Sequence, residues 1–422
     1  MKTRTIVMVL VLVLGVSLTL AACGKEEPAS TTAGGSGTTA TAPQTSTTAT
    51  APQTTSAGGG KAYKVGFLAG FTGFMAYDDE LADKGLETAR AMLGNQIMGR
   101  PLEVLKVDYA SDPVVAVDKA RQLVESDKVQ LMDGPIFSPA TAAVCDYLAK
   151  AGGIPDISIM GQPSENLDTA NNLAFIPQGL YGSHGYFFGK YCAETLGYKT
   201  VNCIHYDDTA AHGLQGGFER GFKEGGGQIL SVNYVPLDTV DFSAYLSALK
   251  PADCTLFWIF GNGAVPFVKQ YHDYGLKAPL LVPMANNFSR EQLAELGQLA
   301  VGMVACDIYV DTLDNPANKE FVAKYQELYP GEYPMPQGYG AAQALFMFAK
   351  GLELTGGDPT PAKLIEAMST MTFDSPAGKI TMSPYKGAYI PTRDFFILEV
   401  KEVDGVLQWV PLKIIPQVQL GE

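Results

Sequence analysis

Six short segments concentrate the side chains that could recognise a small molecule: Gly70–Tyr77, Gly134–Thr141, Met160–Ser164, Asp207–Gly213, Gly261–Val265 and Ala285–Phe288. They are rich in Gly, Ser, Thr, Asn and aromatic residues. Hydroxyls, amides and the free N–H groups at helix starts suit a small polar ligand, and a carboxylate in particular. Each segment alone says little, because small residues of this kind also make ordinary turns. Catalysis finds no support. There is no Gly-x-Ser-x-Gly elbow. Gly261-Asn262-Gly263 begins like a dinucleotide fingerprint, but Pro266 stands where the third glycine belongs. His184, His205, His212 and His272 show no metal spacing with acids or thiols, and no P-loop is present. The expectation is a binding protein, not an enzyme, with no metal and no cofactor.

The elements that must position these segments alternate. Apolar strand-like runs at 64–69, 101–108, 129–132 and 154–159 are separated by helical periodicity over 79–93, from Pro113 onward, and from Ser138-Pro139, where Ser138 is placed to cap the helix. After a polar passage the pattern restarts. Strands at 200–206, 228–235, 255–260, 280–284 and 301–309 alternate with helices at 214–224, 242–249 and 265–274. Two more helices, near 316–329 and 339–354, precede strand-like pieces at 379–382 and 395–400. Strand–helix alternation implies right-handed crossovers and parallel sheets, and two series imply two α/β lobes. The six segments then fall at strand ends, where such sheets bind ligands.

The rest of the chain bounds where this happens. Lys2 and Arg4 precede an apolar run from Ile6 to Leu20 that ends in Leu20-Ala21-Ala22-Cys23. The run is shorter than the ~20 apolar residues of a membrane span and reads as an export leader over 1–22. Residues 23–60 are nearly all Thr, Ala, Gly, Ser, Pro and Gln, with one eight-residue unit repeated, too poor in apolar surface to fold. A coil of that length reaches on the order of 35 Å. The whole chain of 422 residues is 46% hydrophobic and 18% charged, with a net charge of −14, which disfavours nucleic acid as a partner. Five cysteines remain after Cys23, in no paired spacing; buried thiols are expected, with a bridge such as Cys192 to Cys203 left open.

Cys23 directly after Leu-Ala-Ala resembles the lipobox of bacterial lipoproteins, which implies acylation of Cys23 and a membrane tether for the linker. From about Lys64 to Val400 the body resembles a type I periplasmic solute-binding protein, of the branched-chain amino-acid-binding family of ABC importers. The resemblance rests on Gly99-Arg100-Pro101-Leu102-Glu103-Val104, on 107–113 with its Ser111-Asp112-Pro113, on Ala116 to Leu123, and on Met132-Asp133-Gly134-Pro135. It implies an α/β fold of two doubly wound, Rossmann-like lobes with parallel sheets, joined by a three-stranded hinge. Lobe 1 is expected over 61–179 plus 312–373 and lobe 2 over 180–311 plus 374–422, with crossovers near 177–181, 309–314 and 372–376. It further implies closure around a small-molecule ligand and delivery to membrane permease subunits. A sensing role, signalling through a membrane receptor, is the alternative.

Carried over by position, the resemblance implies ligand contacts at Thr72, Gly73 and a following aromatic. Tyr77 stands near that aromatic place, shifted by one, with Asp78 in it. Ser138 and Thr141 match the hydroxyl loop that receives a ligand carboxylate. Gly161 and Gln162 replace an Ala-Thr pair, and His212 replaces a tyrosine. Asn262 and Asn286 complete the candidate set. Relatives that bind α-amino acids supply an acid after a second-lobe strand to hold the ammonium. Here that loop reads Pro283-Met284-Ala285-Asn286-Asn287, with amides. Asp207 or Asp208 could substitute, or both could serve only to cap the next helix. The expected ligand has an apolar or aromatic body and a carboxylate or amide head, with a branched-chain amino acid nearly level.

Overall fold

The computed structural model describes residues 60–421. The expected leader, the linker apart from Gly60, and Cys23 lie outside the described residues. The first half of the body runs β1 (Tyr63–Ala69), α1 (Ala76–Met92), β2 (Gln96–Ile97), β3 (Arg100–Asp108), α2 (Pro113–Arg121), β4 (Leu131–Asp133), α3 (Ser138–Lys150), β5 (Asp156–Ile157) and β6 (Ala174–Phe175). The second half runs α4 (Tyr181–Glu194), β7 (Thr200–Tyr206), α5 (Thr209–Glu224), β8 (Gln228–Val235), α6 (Ser243–Ser247), β9 (Cys254–Trp258), α7 (Ala264–Asp273), β10 (Leu280–Val282), α8 (Arg290–Leu296) and β11 (Val304–Asp307). The chain closes with α9 (Pro316–Leu328), α10 (Pro336–Leu354), α11 (Pro361–Ser369), β12 (Thr372–Ser375), β13 (Gly378–Tyr385), β14 (Ala388–Val403) and β15 (Val406–Gln419).

Two parallel arrays result, β3-β1-β4-β5-β6 and β11-β10-β9-β7-β8, with β14 between them. β14 runs antiparallel to β11 and touches β6 through the single pair Tyr389–Phe175, whose rings stack at 4.4 Å. The chain passes from the first array to the second between β6 and α4, and α9 and α10 return to pack on α1. The last passage runs along β14. β12 and β13 pair only with each other and with β14, whose start lies against β6.

Local chemistry explains the helix starts. Asp112 accepts hydrogen bonds from Val114 N at 2.7 Å and Val115 N at 3.1 Å, with Pro113 in the first turn. Ser289 and Gln292 form a capping box on α8. α3 departs from expectation: Phe137 is its N-cap and Ser138 is already helical, so the Ser138 hydroxyl makes no cap bond. Close helix contact relies on glycine. A Cβ at Gly217 of α5 would lie 1.9 Å from Gly182 O of α4, and one at Gly85 of α1 would lie 1.9 Å from Gly338 O of α10. The five described cysteines are buried free thiols, so the bridge left open between Cys192 and Cys203 does not form.

Candidate functional site

The loops at the strand ends of both arrays face each other across a cleft. Two adjoining cavities lie there, one of about 740 Å³, called the mouth below, and one of about 110 Å³, called the chamber; Phe74, Tyr77, Asp78 and Phe260 line both. Aromatic rings wall the chamber. Phe74 and Phe137 from the first half meet edge to face at 5.1 Å, and Tyr181 meets Trp258 in the second half at 5.4 Å. Rings in these pairs hold each other's orientation, which keeps the walls apart and apolar.

Of the candidate residues, Tyr77, Ser138 and Asn286 line the chamber, and Gly73, Tyr77 and Asn262 line the mouth. The other five line neither. Thr72 is exposed, and its hydroxyl donates to Asp108 Oδ2 at 2.7 Å. The Thr141 hydroxyl is committed to Pro135 O at 2.9 Å. Gly161 acts by its lack of a side chain, since a Cβ there would lie 3.0 Å from the Tyr181 ring. Gln162 is buried and accepts from Asn166 Nδ2 at 2.7 Å through Oε1. His212 turns outward, hydrogen-bonded to Asp207 at 2.8 Å and stacked on Tyr234 at 4.0 Å. Its position is set by Asp208, which caps α5 through Ala211 N at 2.6 Å and so orients the first turn.

The structure thereby separates the adjacent acids: Asp207 faces solvent and Asp208 lines the chamber. Burial pushes the Asp208 carboxyl up, against the pull of the Ala211 N–H. A second chamber carboxylate, Asp78 in the first turn of α1, is also raised by burial and accepts from Gln337 Nε2 at 2.6 Å. Among the described residues lining the chamber, none is basic. Asn286 is braced from behind, its N–H donating to Asp307 Oδ2 at 3.3 Å; burial pushes that carboxyl up to about 7. Ser138 sits at the start of α3, where helix N–H groups and a hydroxyl suit a carboxylate.

Sequence reasoning missed Trp258 and Gln337 as wall residues. Trp258 ends β9, and its place at a strand terminus was the available signal. Gln337 follows no strand: it begins α10, which reaches the cleft only because α10 packs on α1.

Comparisons with known proteins accord with this geometry. Residues 62–405 match the family model for periplasmic binding proteins. Leu/Ile/Val-binding protein homolog 6 of Brucella melitensis is 26% identical over 349 residues, 81% of this chain and 88% of its own. The ABC transporter substrate-binding protein of Sphaerobacter thermophilus superposes with a TM-score of 0.78 at 26% identity, covering 84% of this chain and 98% of that one. A solute-binding protein of an R. palustris ABC transporter, solved in complex with benzoate, has a TM-score of 0.74 at 25% identity, covering 86% and 98%. With the match spanning the α/β body up to the start of β15 and the cleft at the strand ends, the chain belongs to the periplasmic binding protein family, type I, and is an extracytoplasmic substrate-binding protein of the ABC-transporter class, not an enzyme.

Proposed function

We propose that this protein captures an α-amino acid in the chamber, with the apolar part of its side chain among the aromatic walls, and hands it to a membrane permease, held at the membrane by lipid on Cys23. The observation that carries the ligand class is the pairing of aromatic walls with two carboxylates and no base. A benzoate-like anion would enter a chamber already holding two acids, whereas an ammonium compensates one of them. Asp208 is the partner for the α-ammonium. The ligand carboxylate meets the Ser138 hydroxyl and the start of α3, and the side chain lies among Phe74, Phe137 and Trp258. The two arrays act as the two lobes, closing about the three passages between them. The name of the Brucella relative supports this class, and the benzoate complex of the R. palustris relative supports the rival aromatic acid. Signalling through a membrane receptor would use the same chamber; loss of uptake on deleting the gene separates transport from that alternative.

A thermal-shift panel on the full-length protein in detergent tests the ligand class. It contains leucine, valine, phenylalanine and benzoate. A ligand at 100 times its dissociation constant adds about 2.7 kcal/mol to stability. Stabilisation by the amino acids is expected; stabilisation by benzoate alone would sink the amino-acid reading. Labelled palmitate incorporated by the wild type and absent from Cys23→Ala checks the anchor.

A further inference from the structure

An α-amino acid brings one ammonium to a chamber with two carboxylates. Asp78 belongs to the first array's α1 and Asp208 to the second array's α5, so they approach from opposite sides. Asp78 is held by Gln337 of α10, and Asp208 by the first turn of α5 through Ala211 N, so different elements of the wall fix the two acids. Both acids line the chamber, and one ammonium compensates only one of them.

Around Asp78 the free polar atoms are acceptors. Gln337 is 1% exposed and donates its Nε2 to Asp78 Oδ1 at 2.6 Å. That bond fixes the amide: reversing it would set its oxygen against the carboxylate. Gln337 Oε1 is consequently a buried acceptor without a partner. Asn286, on the facing array, lines the same chamber and also has a buried Oδ1 without a partner. Leaving a buried polar group unmet is costly, so a ligand that satisfies it gains affinity. A hydroxyl on the ligand could satisfy one of these oxygens. An amine or guanidinium offers several N–H donors at once and compensates the charge as well. The aromatic walls favour such a group, since ring faces attract cations. The protein's own nearby cations are committed elsewhere. Lys84 in the mouth pairs with Glu332 at 2.7 Å and Glu80 at 3.1 Å. Arg290 pairs with Asp311 and lies 3.6 Å over the Tyr333 ring.

We infer that the ligand is an amino acid whose apolar chain ends in a second cationic N–H group, an amine or a guanidinium, received by Asp78, Gln337 and Asn286 while Asp208 takes the α-ammonium. This rests on the amino-acid reading above and specifies the far end of the same site.

Isothermal titration of the full-length protein in detergent, with L-lysine, L-arginine, L-leucine and benzoate, tests it on the wild type, Asp78→Asn and Asp208→Asn. Lysine or arginine is expected to bind at least about tenfold more tightly than leucine. The margin should collapse in Asp78→Asn, while Asp208→Asn should weaken the basic amino acid and leucine alike. Leucine binding as tightly as both basic amino acids, or a margin that survives Asp78→Asn, overturns the inference and leaves the amino-acid reading standing. Binding by benzoate alone overturns both, as does silence towards all four. The melting temperature of each ligand-free variant reports whether it is folded. Should Asp78→Asn fail to fold, Gln337→Leu, which removes an acceptor of the same cluster, is expected to narrow the same margin.

Discussion

Two pairs of adjacent aspartates occupy matching places in the two halves of the molecule. Asp78–Asp79 lies in the first turn of the helix after β1, and Asp207–Asp208 lies between β7 and its following helix. In each pair one member faces the chamber and the other turns away from it, although in the second pair the chamber-facing Asp208 also caps α5. The difference is where the member turned away sits. Asp79 is fully buried and accepts from Gly70 N at 2.8 Å, so it holds the first cleft loop from inside. Asp207 does its work at the surface, with His212. The two acids turned away from the chamber thus sit in two dielectrics. Only the buried version couples the cleft loop to ionisation, because a carboxylate kept from water resists its charge.

Four substitutions sharpen that contrast. The largest effect is expected at Asp208. Asp208→Asn keeps an efficient cap on α5 but removes the charge opposite the α-ammonium. Losing one partner of a buried charge pair costs about 2–5 kcal/mol, which is at least about a thirtyfold loss of affinity. Titration against the wild type reads this directly, and the melting temperature of the ligand-free protein should stay close to the parent's. If affinity holds, the ammonium is held elsewhere and the two pairs are not functionally alike.

The next effect is on stability, at Asp79. Burial pushes its carboxyl up to about 8, with the Gly70 N–H pulling the other way. Its folded pKa lies above its unfolded one, so its contribution is complete below about pH 4 and is lost as pH rises through about 8. Asp156 and Asp307, pushed up to about 7, act in the same direction. His184 and His205, pushed down to about 4 by burial, act oppositely: their contribution is present above about 6.5 and is lost as pH falls towards 4. Comparing the wild type with Asp79→Asn isolates one group. Between pH 5 and about 9 the melting temperature of the variant should fall less steeply. Parallel curves would mean that Asp79 does not ionise over that interval.

How far these pairs were legible in the sequence follows from what fixes each residue. The alternation of apolar runs and helical periodicity gave the two α/β series, since strands buried on both faces read as apolar blocks. α4 did not stand out as a helix. Its sequence, Tyr-Gly-Ser-His-Gly-Tyr-Phe-Phe-Gly, lacks an apolar stripe, and its glycines make sense only against α5, where Gly185 would meet Leu214 O. Of the residues lining the cavities, Tyr77, Ser138 and Asn286 were accessible because they follow strands closely, the first two at helix starts and the third in a short turn. Sequence could not choose between Asp207 and Asp208, because the choice depends on which one caps α5. Nor could it place Gln337, whose partner Asp78 is 259 residues away along the chain.

The smallest effect is expected at the surface half of the second pair. His212 was a candidate ligand contact on resemblance alone, yet its ring stacks on Tyr234 and its nitrogen meets Asp207, outside both cavities. The His212 and Asp207 side chains are 49% and 61% exposed, so solvent screens their attraction. Exposed pairs of this kind contribute about 0–1 kcal/mol. Asp207→Ala and His212→Ala should therefore each leave ligand affinity within about twofold of the parent, less than 1.4 kcal/mol. Titration with the tightest ligand of the panel gives the answer. A tenfold loss in His212→Ala would mean that closure carries this ring into the cleft, and the two pairs would then differ in motion as well as in burial.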